Sequence, residues 1–450
     1  MRHAETVDRS DDHAFEVTNK VVLAIAAPMT IAYLTTPLLG LVDTAVVGQL
    51  NDVAMLGGLA AGAVIFDLAF TSFNFLRAGT TGLIAQAYGA RNVAEEQQIF
   101  WRASALGILC GLLLVTAAPL ISLAGMWFIG ASPAVSSAMD TYIRIRLLAA
   151  PLSLLNYVIL GYLLGKGDAR VALGLQVLIN VFNICLSVWW GLYLNLGVAG
   201  VAWAAVAAET IAAILGIGIV LSGFGRIIPI SLRMLLGPPA VKRLMVFNRD
   251  ILIRTFVLMG AFALFARQGA RLGTVEIAAN AILMHFLIIV SFFLDGFAAA
   301  VEQLAGRAVG ARYLPAFDKA VKLTTVWGGV LAAVFGVVAV VWGTELISLF
   351  TTSKEVREEA TRYLPLAAAT GLTGVLAFQM DGIYLGATWS STLRNMMLFS
   401  FVVYIAALFV LGHYLANYGL WLALHIFLIV RGVSLMLALP RLRTATFGKI

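Results

Sequence analysis

Six carboxylates stand inside long apolar runs of this sequence: Asp43, Asp67, Glu209, Asp295, Glu302 and Asp381. An ionisable group in hydrocarbon costs about 2.5–3.5 kcal/mol on insertion scales, so each needs a partner or a wet cavity. Their neighbours indicate what work they can do. Gln176, Asn180, Asn183 and Ser187 recur at intervals of 4, 3 and 4, which puts all four on one helix face. Asn280, Ser291, Asp295 and Glu302 share one narrow helical sector, and Asp67, Thr71 and Asn74 share another. Two chemistries suit such faces. Amides and hydroxyls can bond helices together, at about 0.6 kcal/mol per contact. Carboxylates are a costly glue, and they point instead to the walls of a cavity that handles cations or substrate. Asp43 is the foremost of them. Near the surface it is an ordinary solvated helix end; buried against the Gln176–Ser187 face it is a site that binds and releases protons.

The elements that position these residues are apolar helices. Hydrophobic residues make up 61% of the 450 and charged ones 12%, with a mean hydropathy of +0.95. A water-soluble chain this apolar could not cover its surface. About twelve spans of roughly 20 residues fit. They are expected near 21–46, 53–76, 99–124, 142–164, 171–194, 198–222, 245–268, 277–303, 320–348, 362–386, 393–415 and 418–440. Runs of this length exceed barrel strands, so the expected fold is an all-α integral membrane protein.

The chain also matches itself at an offset of 221 residues. Ala78 to Arg91 lies over Ala299 to Arg312 with six of fourteen positions identical, including the closing Gly-Ala-Arg. Leu155 to Gly165 lies over Leu376 to Gly386, Tyr142 over Tyr363, and Gly191, Tyr193 and Leu194 over Gly412, Tyr414 and Leu415. Six spans per copy return the chain to its starting side. The repeat is therefore parallel, giving two six-helix lobes around a central path. The expected organisation is a tail over 1–20, an N-terminal lobe over 21–222, a linker over 223–244, a C-terminal lobe over 245–440 and a tail over 441–450.

Lys and Arg set the orientation. They crowd into alternate loops (Arg91 and Arg102; Lys166 and Arg170; Arg226, Arg233, Lys242 and Arg243; Arg441, Arg443 and Lys449), which places both termini in the cytoplasm. The net charge of +7 then answers anionic lipid at the inner leaflet, not nucleic acid. The first 19 residues lack the basic start and cleavage site of a signal peptide. A short interfacial helix is expected around Ile230 to Leu236. Pro28 and Pro37 kink span 1, statically or as a hinge. Cys110 and Cys185 lie in separate spans and read as apolar filler, not a disulfide or metal pair.

No His-Glu-x-x-His, glycine-lysine nucleotide loop or Gly-x-Ser-x-Gly occurs, so neither an enzyme nor an ATP-driven pump is expected, and no cofactor or metal. Transport, if that is the task, must draw on an ion gradient.

Taken together, certain short motifs resemble the multidrug and toxic compound extrusion (MATE) transporters, in their DinF-like branch. They are Pro28 with Leu39-Gly40-Leu41-Val42-Asp43-Thr44-Ala45 and Gly48; Phe75-Leu76-Arg77 with Thr80-Thr81-Gly82 and Ala85-Gln86-Ala87; Asn248-Arg249-Asp250-Ile251 with Arg254; Asp295-Gly296-Phe297-Ala298 with Glu302; and Asp381-Gly382 with Gly386. The resemblance covers about 21–440. The loop Tyr88 to Val93 lacks the Gly-x-x-x-Asp-Arg-x-Gly-Arg of the major facilitator class.

The resemblance implies an inner-membrane antiporter that expels amphipathic, often cationic compounds in exchange for inward cations, by alternating access. It implies a cation site of a span-1 aspartate with an Asn-x-x-x-Asp pair in span 5. Asp43 and Asn183 match, but the second acid is Ser187, leaving Asp43 as the lone acid there, with Glu209 as a candidate second charge. Sodium-using relatives pair a span-7 glutamate with the span-10 aspartate. Asp381 matches, but span 7 has no glutamate, so H+ is the expected coupling ion and Na+ the alternative. A lipid or lipid-linked-sugar flippase would want a basic groove, whereas the mid-span charges read as acidic. An intramembrane enzyme or passive channel is disfavoured by the missing catalytic pair and by the unlike halves. Membrane lipid and small amphipathic molecules are the expected partners of a monomer.

Overall fold

A computed structural model describes residues 15–50, 52–225, 228 and 237–448. All the regular structure described is helical. The helices are α1 (Asn19–Gly48), α2 (Val53–Thr71), α3 (Phe75–Gly89), α4 (Val93–Ile129), α5 (Pro133–Leu148), α6 (Ala150–Lys166), α7 (Ala169–Leu186), α8 (Gly197–Gly223), α9 (Pro238–Leu272), α10 (Thr274–Gly310), α11 (Leu314–Phe350), α12 (Lys354–Gly386) and α13 (Ser390–Phe447). A π-helical segment, Ser187–Tyr193, continues α7. The interfacial helix expected at 230–236 lies outside the described residues.

Nine of these segments are long and apolar enough to cross a membrane among the described residues, and the bent pair α5–α6 makes a tenth. Two further predicted spans are accounted for by α13, which is 58 residues long and broken at Ala416 (φ 48°), and by α9, whose first half is charged. Large apolar residues stay exposed along the helices, as on α4 (Leu109, Leu113, Leu120, Trp127) and α11 (Val330, Val334, Val341). Exposure on that scale suits contact with lipid tails.

Two spans differ from the sequence expectation. Span 2 is broken at 72–74, where Phe73 N and Asn74 N donate to Phe70 O and Thr71 O in tight turns. Asn74 therefore leaves the helix face it was expected to share with Asp67 and Thr71. Its short polar side chain competes for local bonds and favours such a turn. Span 4 bends by 53° between α5 and α6. Pro151, in the first turn of α6, has no N–H for the preceding turn, which stops α5.

Contacts divide the chain into two compact units. One comprises Met1–Thr30, Ala85–Arg91 and Arg249–Ile450, the other Ile31–Ile84 and Asn92–Asn248. The first is the C-unit and the second the N-unit. The division crosses α1 between Thr30 and Ile31, between the two prolines; α1 itself runs through both without interruption.

The repeat is written into the backbone. Arg91 and Arg312 both have positive φ (52° and 51°), as do Gly167 and Thr388 (86° and 57°) and Asn195 and Ala416 (52° and 48°). Each pair is 221 residues apart, and each ends or interrupts a helix. Close contacts repeat as well. In the N-unit Gly161 packs against Arg77 O and Gly165 against Thr81 O; in the C-unit Gly382 packs against Ala298 O and Gly386 against Glu302 O. Every residue here is displaced by the same 221 positions.

Candidate functional site

In the N-unit the polar face of α7 meets α1. Ser187, the first residue of the π segment, is fully buried, and its Oγ donates to Asp43 Oδ1 at 3.0 Å. Asn183 Oδ1 lies 3.1 Å from the same hydroxyl, so one proton has two acceptors. One turn back, Gln176 Nε2 donates to Asn180 Oδ1 at 3.1 Å, while buried Asn180 Nδ2 has no hydrogen-bond partner among the described residues. The structure thus joins Asp43, Asn183 and Ser187, with Asn180 and Gln176 extending the face. Gly191 makes this possible. A Cβ there would lie 2.6 Å from Val46 Cγ1, so only glycine lets α1 come this close, one turn beyond Asp43. π segments recur at functional sites because they re-aim side chains that an α-helix would place elsewhere.

Glu209 takes a different partner. Its Oε1 accepts from Arg146 Nη1 at 3.1 Å, and its backbone carbonyl accepts from Asn156 Nδ2 at 3.0 Å. The Arg146 guanidinium lies 4.1 Å over the Phe66 ring, whose own neighbour Phe70 is stacked on it. Arg146 also stands within electrostatic reach of Asp43 and Asp67. Asp67 is exposed on α2, and Asn74, in the break, accepts from Arg77 Nε at 3.1 Å.

The C-unit candidates are arranged as structure-bearing clusters. Asp381, 6% exposed on α12, accepts from both Arg254 of α9 and Arg431 of α13. Asp295 lies within electrostatic reach of Arg431. Asn280 is 3% exposed; it exchanges amide bonds with Asn417 (2.7 and 3.1 Å) and accepts from Trp421 Nε1 at 2.9 Å, tying α10 to α13. Glu302 is buried on α10, against Gly386. Asp250, preceding Arg254 by one turn, is held by Arg394 at 2.6 Å and by Ser390 at 3.0 Å.

The mid-span charges are therefore not all acidic, as the sequence reading had them. Arg146, Arg254 and Arg431 are basic groups inside the helical body, each with an acid against it. The signal was present. Lone charges of both signs inside spans are costly, and pairing them is the cheapest remedy. Among the described residues no cluster of three or more His, Cys, Asp or Glu offers a metal site, and Cys110 and Cys185 are free.

A duplicated helical membrane chain with a separate ionisable cluster in each unit has the build of a secondary transporter. A profile of the MatE family matches it twice, over residues 28–189 and 251–410, so the two matches fall on the two copies of the repeat. The chain belongs to the MatE family and is a multi-pass membrane transporter. DNA damage-inducible protein F of Escherichia coli (strain K12) is 38% identical to it over 427 residues, 93% of this chain and 91% of that one. Multidrug and toxin extrusion protein 1 of Oryctolagus cuniculus is 25% identical over 375 residues, 82% of this chain and 65% of that one. A crystal structure of MATE in the bent conformation superposes with a TM-score of 0.86 at 18% identity, covering 98% of this chain and 99% of that one; this likeness concerns the fold.

Proposed function

We propose that this chain exports amphipathic organic cations across a bacterial plasma membrane in exchange for inward-moving protons, with Asp43 as the coupling carboxylate. The observation that carries the reading is the hydrogen bond from fully buried Ser187 to Asp43, on a polar face that holds no second acid. A proton needs one carboxylate; a sodium ion wants a cage of several oxygens. The other aspartate matching a family cation site, Asp381, is already held by two guanidinium groups, which favours H+ over Na+. Protonated, Asp43 is neutral and holds an organic cation weakly; ionised, it attracts one. Each pH unit of gradient supplies about 1.4 kcal/mol per proton, and each 100 mV about 2.3 kcal/mol per charge. The Lys and Arg distribution supports a cytoplasmic side for both termini.

The name of one relative, multidrug and toxin extrusion protein 1, is consistent with this substrate class. The test is efflux of a cationic dye from proteoliposomes under an imposed pH or sodium gradient. Wild-type export driven by the pH gradient, and its uncoupling in Asp43→Asn, are expected. Export driven by sodium and indifferent to pH, or undiminished dye-dependent proton flux in Asp43→Asn, refutes the assignment.

A further inference from the structure

We propose that Arg146 is a tethered cation that competes with the proton and with a cationic substrate for Asp43. This rests on the reading of Asp43 as the coupling group. Arg146 sits in the last turn of α5, where the 53° bend into α6 fixes it beside α2 and α8. Its side chain is only 13% exposed, yet a single hydrogen bond holds it to Glu209. Arginine and a carboxylate commonly pair through two parallel bonds. Here Arg146 Nε and Glu209 Oε2 are both buried and lack hydrogen-bond partners among the described residues. Each partner keeps a polar atom in reserve.

Ionisable groups from several helices surround that reserve. Asp43 comes from α1, Asp67 from α2, Tyr142 from α5 itself, Tyr157 from α6 and Glu209 from α8; Arg77 of α3 faces Tyr157. Glu209 is paired with this internal guanidinium, and Asp43 and Asp67 lie within its electrostatic reach. With Asp43 neutral, Arg146 stays with Glu209 and its Phe66 platform. When Asp43 loses its proton, it offers the spare Nε a charged acceptor, and Arg146 weakens the hold of Asp43 on any other cation. Such a competitor keeps a bound organic cation from being trapped, because release is assisted by a positive charge already inside the protein. A guanidinium suits this task because it stays charged and stacks on an aromatic ring.

The experiment measures, in proteoliposomes, the external pH at half-maximal ethidium efflux and the KM for ethidium. Arg146→Gln is expected to raise that pH by about one unit or more, the effect of removing a nearby opposite charge from a carboxyl, and to lower KM. Glu209→Gln is expected to move it the opposite way, since Arg146 then has Asp43 as its better partner. Arg146→Lys keeps the charge and is expected to stay near wild type. A merely structural pair would lower turnover in both variants at an unchanged midpoint; that result, or two shifts of the same sign, overturns the proposal. The pH dependence of ethidium binding to purified protein gives the same midpoint for a variant that binds but does not transport. A wild type with no pH midpoint at all would instead refute the assignment of Asp43, and this inference with it.

Discussion

Gly191→Ala is the sharpest probe of how the α1–α7 contact serves coupling. A Cβ at position 191 would stand 2.6 Å from Val46 Cγ1 and 3.2 Å from Val201 Cγ2. Carbon atoms in good contact are about 3.5–4.0 Å apart, so α1 or Val46 must move by roughly 1 Å. Val46 is 3% exposed and Val201 is 0%, and a β-branched side chain has little freedom at χ1. The helix is therefore the part that gives. Asp43 is one turn from Val46, and its bond from Ser187 is 3.0 Å long. Lengthened by about 1 Å, that bond lies beyond the useful range. A hydrogen bond to a charged group contributes about 1.5–3 kcal/mol, which corresponds to a loss of about 10-fold to 100-fold in the population poised for exchange. The assay is dye-driven proton flux per folded molecule in proteoliposomes, with thermal stability as the control. Val46→Ala removes the obstructing methyl groups, so Gly191→Ala/Val46→Ala should recover most of the flux. Full coupling in Gly191→Ala alone, or a double variant no better than the single one, refutes the role given to this contact.

Three further outcomes are expected. Asp381→Asn strips the shared countercharge from Arg254 and Arg431, and breaking a buried pair in this way costs about 3–5 kcal/mol; the melting temperature in detergent should fall markedly, with partial recovery in Arg254→Gln/Asp381→Asn. Asn280→Ala leaves Asn417 and Trp421 without their partner, a loss of about 1–3 kcal/mol in stability, while efflux per folded molecule stays unchanged; a specific loss of efflux would return Asn280 to the cavity wall. Gly310→Ala drives a Cβ to 1.9 Å from Gln86 O, and Gly89→Ala drives one to 2.0 Å from Arg307 O. Backbone atoms cannot step aside, so both variants should melt lower, by similar amounts, as differential scanning fluorimetry would show.

Much of the fold was legible because it depends on patterns that the membrane enforces. Apolar length specifies spans, and the 221-residue offset specifies two copies. The polar face of Gln176, Asn180, Asn183 and Ser187 was legible too, because spacing at 4 and 3 puts residues on one face whatever surrounds them, and the family resemblance pointed Asp43 to it. What escaped was local or pairwise. The break at 72–74 carries no proline or glycine; Thr71, Ser72 and Asn74 make it through side-chain and turn bonds that no hydrophobic window registers. The π segment adds a residue to a turn without changing composition. The Arg146–Glu209 pair joins residues 63 apart in sequence, and neither residue's own neighbourhood announces the other.

The contrast between backbone and charge bears directly on coupling. Glycine contacts and left-handed turns recur at the 221 offset in both copies, so the duplicated scaffold is the same. The ionisable groups are not. Asp43 corresponds to Leu264 and Ser187 to Leu408; Arg146 corresponds to Ala367 and Glu209 to Val430; and Asp381 of the second copy corresponds to Leu160 of the first. At these five positions one copy is polar or charged where the other is apolar, and a scaffold held by close backbone contacts tolerates either choice. The two clusters also differ in kind. Asp381 is met by two guanidinium groups, which satisfy its charge from within. Asp43 accepts its hydrogen bond from a hydroxyl, while the Arg146 within its electrostatic reach is paired to Glu209, which leaves the carboxylate open to exchange. A carboxylate satisfied by its own chain holds helices together, whereas one left to a hydroxyl can trade a proton for a cation. On that ground the proposed exchange site has no twin among the described residues, and one such carboxylate, Asp43 of α1, stands against the polar face that α7 and Ser187 present.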